Sequence, residues 1–396
     1  MDPRSNPYAP GAGYPPPELA GRDEIIERAS IALDRIRAGR PARSMVFYGL
    51  RGVGKTVLLN KVRTDAEARG LVSVPIEALE DRSLPGILAP TLRAALLALD
   101  RIASVKAQTK AALGALAGFV RAFKLKYHDI EVTIDAEHVK GVADSGDLEH
   151  DLAGLISSVG EAAKANGTAV LLSIDELQYI PEEELASLIF ALHRANQRQL
   201  PVALVAAGLP QLLGQMGRAK SYAERLFEFV PVDRLTGDAA TDALRKPAQR
   251  EGVDFQQGAL DEILEQTKGY PYFLQEWGKH SWNIADHSPI ETADAKAATQ
   301  SALAELDASF FRVRFDRLTP AEKRYMSAMA ELGAGPHRSG EIAELLGKRV
   351  TAVAPMRNKL IAKGMIYSPS HGDTAFTVPL FDGFMKRIMP WQPAGL

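Results

Sequence analysis

The sequence predicts an α/β domain on a mainly parallel sheet, then an all-helical unit, then a C-terminal module of three helices and a hairpin. Three observations lead there. Short apolar runs alternate with helix-period segments through residue 235, and a glycine-rich turn follows the first of these runs. After Thr236 the strand-like runs stop, until a different pattern begins at Thr319.

The chain has 396 residues, room for two or three domains, and its 46% hydrophobic and 24% charged residues exclude a wholly disordered chain. It has no cysteine, which excludes disulfides, thiolate metal sites and a cysteine nucleophile. The formal charge of −2 hides an asymmetry: residues 310–396 carry 13 basic and 7 acidic side chains, the remainder 34 and 42. The opening Met1-Asp2-Pro3-Arg4 has no apolar leader core. The longest run without a charge, Gln199 to Gly217, is interrupted by Pro201, Gly208, Pro210 and Gly214. These features predict a soluble, cytoplasmic protein with no membrane partner.

Residues 1–18 include six prolines and almost no aliphatic side chains, and are expected to be a disordered tail. Ile25, Ile26, Ala29, Leu33 and Ile36 recur at helical spacing, with Gly39 as a stop. Strands are expected at 45–48, 71–76, 169–174, 202–207 and 229–232. Helices are expected around Leu148–Val159 and Leu185–Leu192, the latter opening on three glutamates and closing on arginines, as the helix dipole favours.

Gly49-Leu50-Arg51-Gly52-Val53-Gly54-Lys55-Thr56 matches G-x-x-x-x-G-K-[ST], with a strand before it and Val57 opening a helix after it. Glycines let the backbone wrap a phosphate with its N–H groups, and the helix N-terminus adds a favourable field. Lys55 is expected to reach the β and γ phosphates and Thr56 to ligate Mg²⁺. A second buried strand ends in Asp175-Glu176. Asp175 can hold Mg²⁺ through its water shell, and Glu176 can orient and deprotonate an attacking water.

Together these motifs resemble the P-loop ATPases of the AAA+ and STAND kind, most closely the origin-recognition-like AAA+ proteins. The resemblance implies ATP and Mg²⁺ as ligands and a P-loop NTPase fold over 19–235, with an insertion at about 84–146 and a helical lid over 236–309. It implies that Leu19 to Arg22 contact the adenine, that Pro271 of Gly269-Tyr270-Pro271 belongs to the nucleotide site, and that Arg225 is an arginine finger, often for a neighbouring subunit of an oligomer. There are departures. The strand ending Ala206-Ala207-Gly208 has no polar γ-phosphate sensor, and no arginine follows closely in the helix after Pro271. Slow hydrolysis, as in a switch, is the expectation. The preference for ATP over GTP follows from the resemblance, since no N-K-x-D motif is present.

Within the insertion, residues 84–122 read as helix and 123–134 alternate as a hairpin turning at His128-Asp129, pairing 127 with 130, 125 with 132 and 123 with 134. It reads either as a structural ribbon or as a surface for DNA or a partner. Thr319-Pro320-Ala321-Glu322 is a capping box that starts the C-terminal module. Helices to about Leu332, over 340–346 and over 350–363, followed by strands at 365–367 and 374–378, read as a winged helix-turn-helix over 310–396. Lys348, Arg349, Thr351, Arg357 and Asn358 are the candidates to meet double-stranded DNA from its third helix. Pro355 should bend that helix or delay its start. Two functions follow: an ATPase switch that couples nucleotide state to DNA, or a STAND-type signalling scaffold whose winged helix docks a protein.

Overall fold

Apolar residues at helical spacing bury one stripe of Asp23–Arg37 (α1), and Gly39, at φ +69°, turns the chain out of it. Ser44–Tyr48 (β1), Lys55–Ala68 (α2) and Val72–Glu77 (β2) follow. The insertion holds Leu84–Ile102 (α3), Lys106–Phe123 (α4), Lys126–Tyr127 (β3) and Ile130–Glu131 (β4). Then come Leu148–Ala165 (α5), Val170–Asp175 (β5), Glu182–Gln197 (α6), Val202–Gly208 (β6), Leu212–Ala219 (α7), Ala223–Leu226 (α8) and Phe227–Pro231 (β7). The structure, a computed structural model, describes residues 1–11, 13–102, 106–124, 126–127, 130–131 and 139–392.

The order β2-β5-β6-β1-β7 forms one parallel sheet. Its three central strands are buried on both faces, which is why they read as continuous apolar runs. Successive side chains point to opposite faces. Met45, Phe47, Leu171 and Val205 therefore join the core under α1 and α2, while Val46, Leu172 and Leu204 join the one under α3, α5 and α6. In the insertion Tyr127 pairs with Ile130, the register expected of the hairpin. Phe123, however, ends helix α4 and is not in a strand. The turn at 128–129 and positions 125, 132 and 134 lie outside the described residues.

The all-helical unit comprises Gly237–Arg250 (α9), Gln257–Thr267 (α10), Pro271–Ile284 (α11) and Thr292–Ala308 (α12). Phe310–Asp316 (α13) leads into Pro320–Glu331 (α14), His337–Arg338 (β8), Ser339–Leu345 (α15), Val350–Ala362 (α16), Ile366–Tyr367 (β9), Asp373–Phe376 (β10) and Phe381–Ile388 (α17). Thr319 and Glu322 make both bonds of the capping box. The three short strands pair antiparallel in the order β8-β10-β9. Pro355 does not delay the start of α16, which runs from Val350 to Ala362.

The lid and the C-terminal module share one hydrophobic core. Phe311 of α13 links them: its ring lies 6.3 Å from Phe273 of α11 and 5.3 Å from Phe384 of α17. No helix among the described residues is long and apolar enough to cross a membrane.

The disorder expected of the N-terminal tail is not what the structure contains. Tyr8 is 4% exposed, its hydroxyl donates to the Leu244 carbonyl, and its ring lies over Gly278, where a Cβ would sit 2.7 Å from it. Asn6 Nδ2 donates to the Lys279 carbonyl at 3.0 Å, and Trp282 Nε1 donates to the Asp2 carbonyl at 2.9 Å. One aromatic ring and a few amide bonds anchor a segment whose composition has little else to bury. Replacing a buried aromatic by alanine costs about 3–5 kcal/mol. Tyr8→Ala should therefore lower the melting temperature by several degrees. An unchanged melting curve would show that the tail contributes no packing.

Candidate functional site

The glycine-rich turn joins the carboxyl end of β1 to the first turn of α2. Gly52 and Gly54 take φ of +80° and +91°, a region that side chains with a Cβ rarely enter. A Cβ on Gly49 would lie 2.0 Å from the Val232 carbonyl oxygen, so only glycine fits where the turn leaves the sheet. Lys55 is 8% exposed, and its Nζ donates to the Leu50 carbonyl at 2.8 Å. Burial pushes its pKa down to about 8, against the smaller opposing pull of Glu176. An ammonium group has three donors, and one acceptor leaves it under-satisfied.

β5 carries Asp175 to the same place, and Thr56 Oγ1 donates to Asp175 Oδ2 at 2.6 Å. Burial raises the Asp175 pKa, with the Thr56 hydrogen bond working against it. Glu176 follows at φ +51°, a strained left-handed position for a residue with a Cβ. Its carboxylate is held by Arg51 at 3.2 Å and by Gln178 Nε2. Arg51 also donates to the Tyr179 hydroxyl at 2.9 Å.

These groups open onto a cavity of about 910 Å³. Arg51, Gly52, Val53, Gly54, Lys55, Thr56 and Val57 line it with Asp175, Glu176, Leu19, Arg22 and Pro271. Gly49 and Leu50 do not. Gly49 shapes the turn from behind, and Leu50 contributes the carbonyl that holds Lys55. The donor set fits a magnesium–nucleotide: a buried, under-satisfied ammonium, a helix N-terminus preceded by glycines without Cβ, and a hydroxyl–carboxylate pair suited to a hard cation.

Arg225 is not at this cavity. It lines a separate hollow with Arg43, Asn196 and Val202, at the amino ends of the strands, and forms no ion pair among the described residues. The nearby Glu228 pairs with Arg28. Lys348 and Arg349, just before α16, and Thr351 and Asn358 on it are exposed. Arg357 corrects the sequence reading: it turns toward the β9–β10 hairpin, donating to Thr374 Oγ1 at 2.9 Å, Ser368 Oγ at 2.8 Å and the Asp373 carbonyl at 2.9 Å. It braces the hairpin and is not presented to a groove.

Sequence reasoning missed several lining residues. Tail residues Ala9, Pro10 and Tyr14 reach the cavity, as do Tyr272, Gln275, Phe310 and Arg314. The Gly269-Tyr270-Pro271 signal pointed to the right element, since the Tyr272 N–H donates to the Gly52 carbonyl at 3.0 Å. Arg314 lies in a segment that carried no motif.

Residues 18–205 match the AAA ATPase domain family, over the same segment that carries both phosphate motifs. This segment is an AAA-type ATPase domain. Residues 308–385 of this ATPase match a domain of unknown function, DUF8462. No curated protein matches the chain. A Walker-type ATPase of Pyrococcus abyssi shares its fold at 15% identity, with 93% of this chain and 96% of the other covered and a TM-score of 0.57. The ORC1 protein of Aeropyrum pernix, in complex with DNA, aligns at 14% identity over 94% and 93% with a TM-score of 0.46. The RuvB Holliday junction branch migration motor of Thermotoga maritima aligns at 13% over 95% and 97% with a TM-score of 0.43.

Lys55 gives this ATPase a testable pH dependence. It loses its proton near pH 8 in the free protein, and a bound polyanion favours the protonated form. Nucleotide affinity should fall about tenfold from pH 7 to pH 9, with proton uptake on binding. Calorimetric titration in buffers of different ionisation enthalpy measures both. A flat affinity without proton uptake would remove Lys55 from contact with phosphate.

Proposed function

We propose that the protein is a Mg²⁺-dependent ATP-hydrolysing switch whose nucleotide state sets the position of a C-terminal winged helix that binds duplex DNA. One observation carries the coupling: the Arg51 N–H, inside the phosphate loop, donates to the Thr377 carbonyl of the C-terminal module at 2.9 Å. A loop that rearranges around phosphate must keep or break that bond. The helix–strand–helix–helix–hairpin order of 320–376 supports the winged-helix reading.

In this reading the N–H groups of the phosphate loop and Lys55 bind the β and γ phosphates, while Leu19, Arg22 and Pro271 border the rest of the nucleotide. Thr56 and Asp175 would hold Mg²⁺. When bound, Mg²⁺ supplies positive charge to the transferring phosphoryl oxygens. Glu176 takes the proton of the attacking water, for which it must leave Arg51 and Gln178. That requirement fits slow turnover. Arg225, remote from its own chain's cavity, is assigned to a neighbouring chain in a nucleotide-dependent homo-oligomer. Glu176→Gln should lower turnover at least about a hundredfold and leave ATP binding near wild type. Unchanged turnover would mean that another group activates the water.

DNA contact is assigned to Lys348, Arg349, Thr351 and Asn358. Duplex binding measured at two salt concentrations, with Mg²⁺-ATP and with Mg²⁺-ADP, tests it. Salt-sensitive, nucleotide-dependent binding that Arg349→Glu abolishes is the expected outcome. Absence of binding in both states would favour the second reading, a STAND-type scaffold whose module docks a protein. That reading has its own support: Val350 at the start of α16 is 47% exposed, and the half-buried Arg357 is bonded to the hairpin.

A further inference from the structure

We propose that Arg314, on α13 at the head of the 308–385 domain, is a phosphate-binding residue of the ATP site and discriminates ATP from ADP. The inference rests on reading the large cavity as the nucleotide site, and it gives the domain of unknown function a direct part in that site.

Arg314 lines the cavity together with Arg51, Tyr272 and Glu176. Its guanidinium stacks on the Phe310 ring, 4.0 Å from the centroid, and donates through one nitrogen to the Phe310 carbonyl at 2.6 Å. No carboxylate pairs with it among the described residues, although Arg312, Arg317 and Arg387 in the same module each have one. A guanidinium has five N–H donors, and the Phe310 carbonyl takes one of them. Burial, with Arg51 adding to it, pushes its pKa down to about 10, so it remains a cation at neutral pH. A partly buried cation without a counter-ion, facing an anion site, is costly until an anion arrives.

Position selects the phosphate. Arg314 shares the cavity wall with Arg51 and Glu176, and the same three residues also line a second hollow together. If Glu176 activates the attacking water, the phosphate beside it is the one being attacked. Arg314 therefore meets the γ-phosphate, which ADP lacks. The shared core fixes α13 to both lid and module through Phe311, so an arginine drawn towards phosphate pulls on the whole C-terminal arm.

The test is a titration of the full chain with fluorescent ATP and ADP derivatives in Mg²⁺, alongside thermal melts with and without each nucleotide. Arg314→Ala should weaken ATP binding at least about tenfold and ADP binding less than about threefold. Arg314→Lys should restore part of the ATP affinity. The melting temperature of the nucleotide-free Arg314→Ala protein should not fall, because an uncompensated cation has been removed, whereas its stabilisation by ATP should shrink. Lys55→Ala, as reference, should weaken both nucleotides. Wild-type ATP affinity in Arg314→Ala, with binding lost in Lys55→Ala, would overturn the role of Arg314 and leave the site intact. Equal loss of ATP and ADP, or a lower nucleotide-free melting temperature, would reduce Arg314 to a packing residue. Undiminished binding in Lys55→Ala would reject the site itself, and this inference with it.

Discussion

The phosphate loop is tied through its backbone to four separate parts of the chain. The Gly49 N–H donates to the Gly208 carbonyl of β6 at 3.2 Å, and the Arg51 N–H to the Thr377 carbonyl of the C-terminal module at 2.9 Å. The Gly52 carbonyl accepts from the Tyr272 N–H at 3.0 Å, and the Val53 carbonyl from the Arg22 guanidinium at 3.2 Å. Backbone polar groups removed from water need partners. Here the loop finds them in the sheet, the module, the lid and the segment before α1. A change in its path cannot stay local, because each of the four segments loses or regains a bond with it. Gly269 shows how closely the lid must approach: at φ +75°, a Cβ there would lie 2.1 Å from the Leu235 carbonyl oxygen.

The arrangement divides the molecule into two bodies, not three. The lid and the C-terminal module have one continuous core, so the rigid unit facing the ATPase sheet runs from the lid to the C-terminal helix. Side chains also meet across the two bodies: Tyr270 of the lid packs against the core under α1 and α2, and Ala20 and Leu235 join the core of the lid. Arg317 pairs with Glu80 at 3.4 Å, with both side chains at least 40% exposed, and such a pair contributes little. Gly364 sits close to Arg51 and Tyr179, where a Cβ would lie 3.0 Å from Arg51 Nη2. Beside that packing, the interface includes the backbone bonds at the phosphate loop and a glycine-sized gap beside the arginine that restrains Glu176. Both lie where a nucleotide's phosphates would be felt first.

Much of this was legible in the sequence, for a physical reason. The parallel sheet and the phosphate loop are specified by contiguous residues: apolar runs for strands buried on both faces, and glycines where the backbone needs positive φ. The capping box at Thr319 and the register of Tyr127 with Ile130 are local in the same way. What was not legible depends on docking. The tail looks disordered because its composition offers little to bury, yet Tyr8 fits a slot made by Gly278 and Leu244 more than 230 residues away. Arg314 is one of three arginines in 312–317, and only the seating of α13 on Phe273 and Phe384 decides which of them faces the cavity. The periodicity of α16 puts Arg357 near its surface, but the β9–β10 hairpin within reach supplies three acceptors and claims it.

That last displacement bears on the kind of DNA contact the proposed winged helix could make. A helix that reads bases presents long hydrogen-bonding side chains along its length in the groove. With Arg357 committed to the β9–β10 hairpin, the other cations among the assigned residues, Lys348 and Arg349, lie just before α16, next to its N-terminal N–H groups. Cations beside a helix N-terminus suit phosphate oxygens, because the charge and the helix dipole act in the same direction there. Of the outward residues further along, Thr351 is short, and Asn358 is the one assigned residue with an amide suited to an adenine edge. Such a surface grips the backbone more than it reads sequence. On the proposed function, nucleotide state, not base sequence, would supply most of the control over when the module engages DNA.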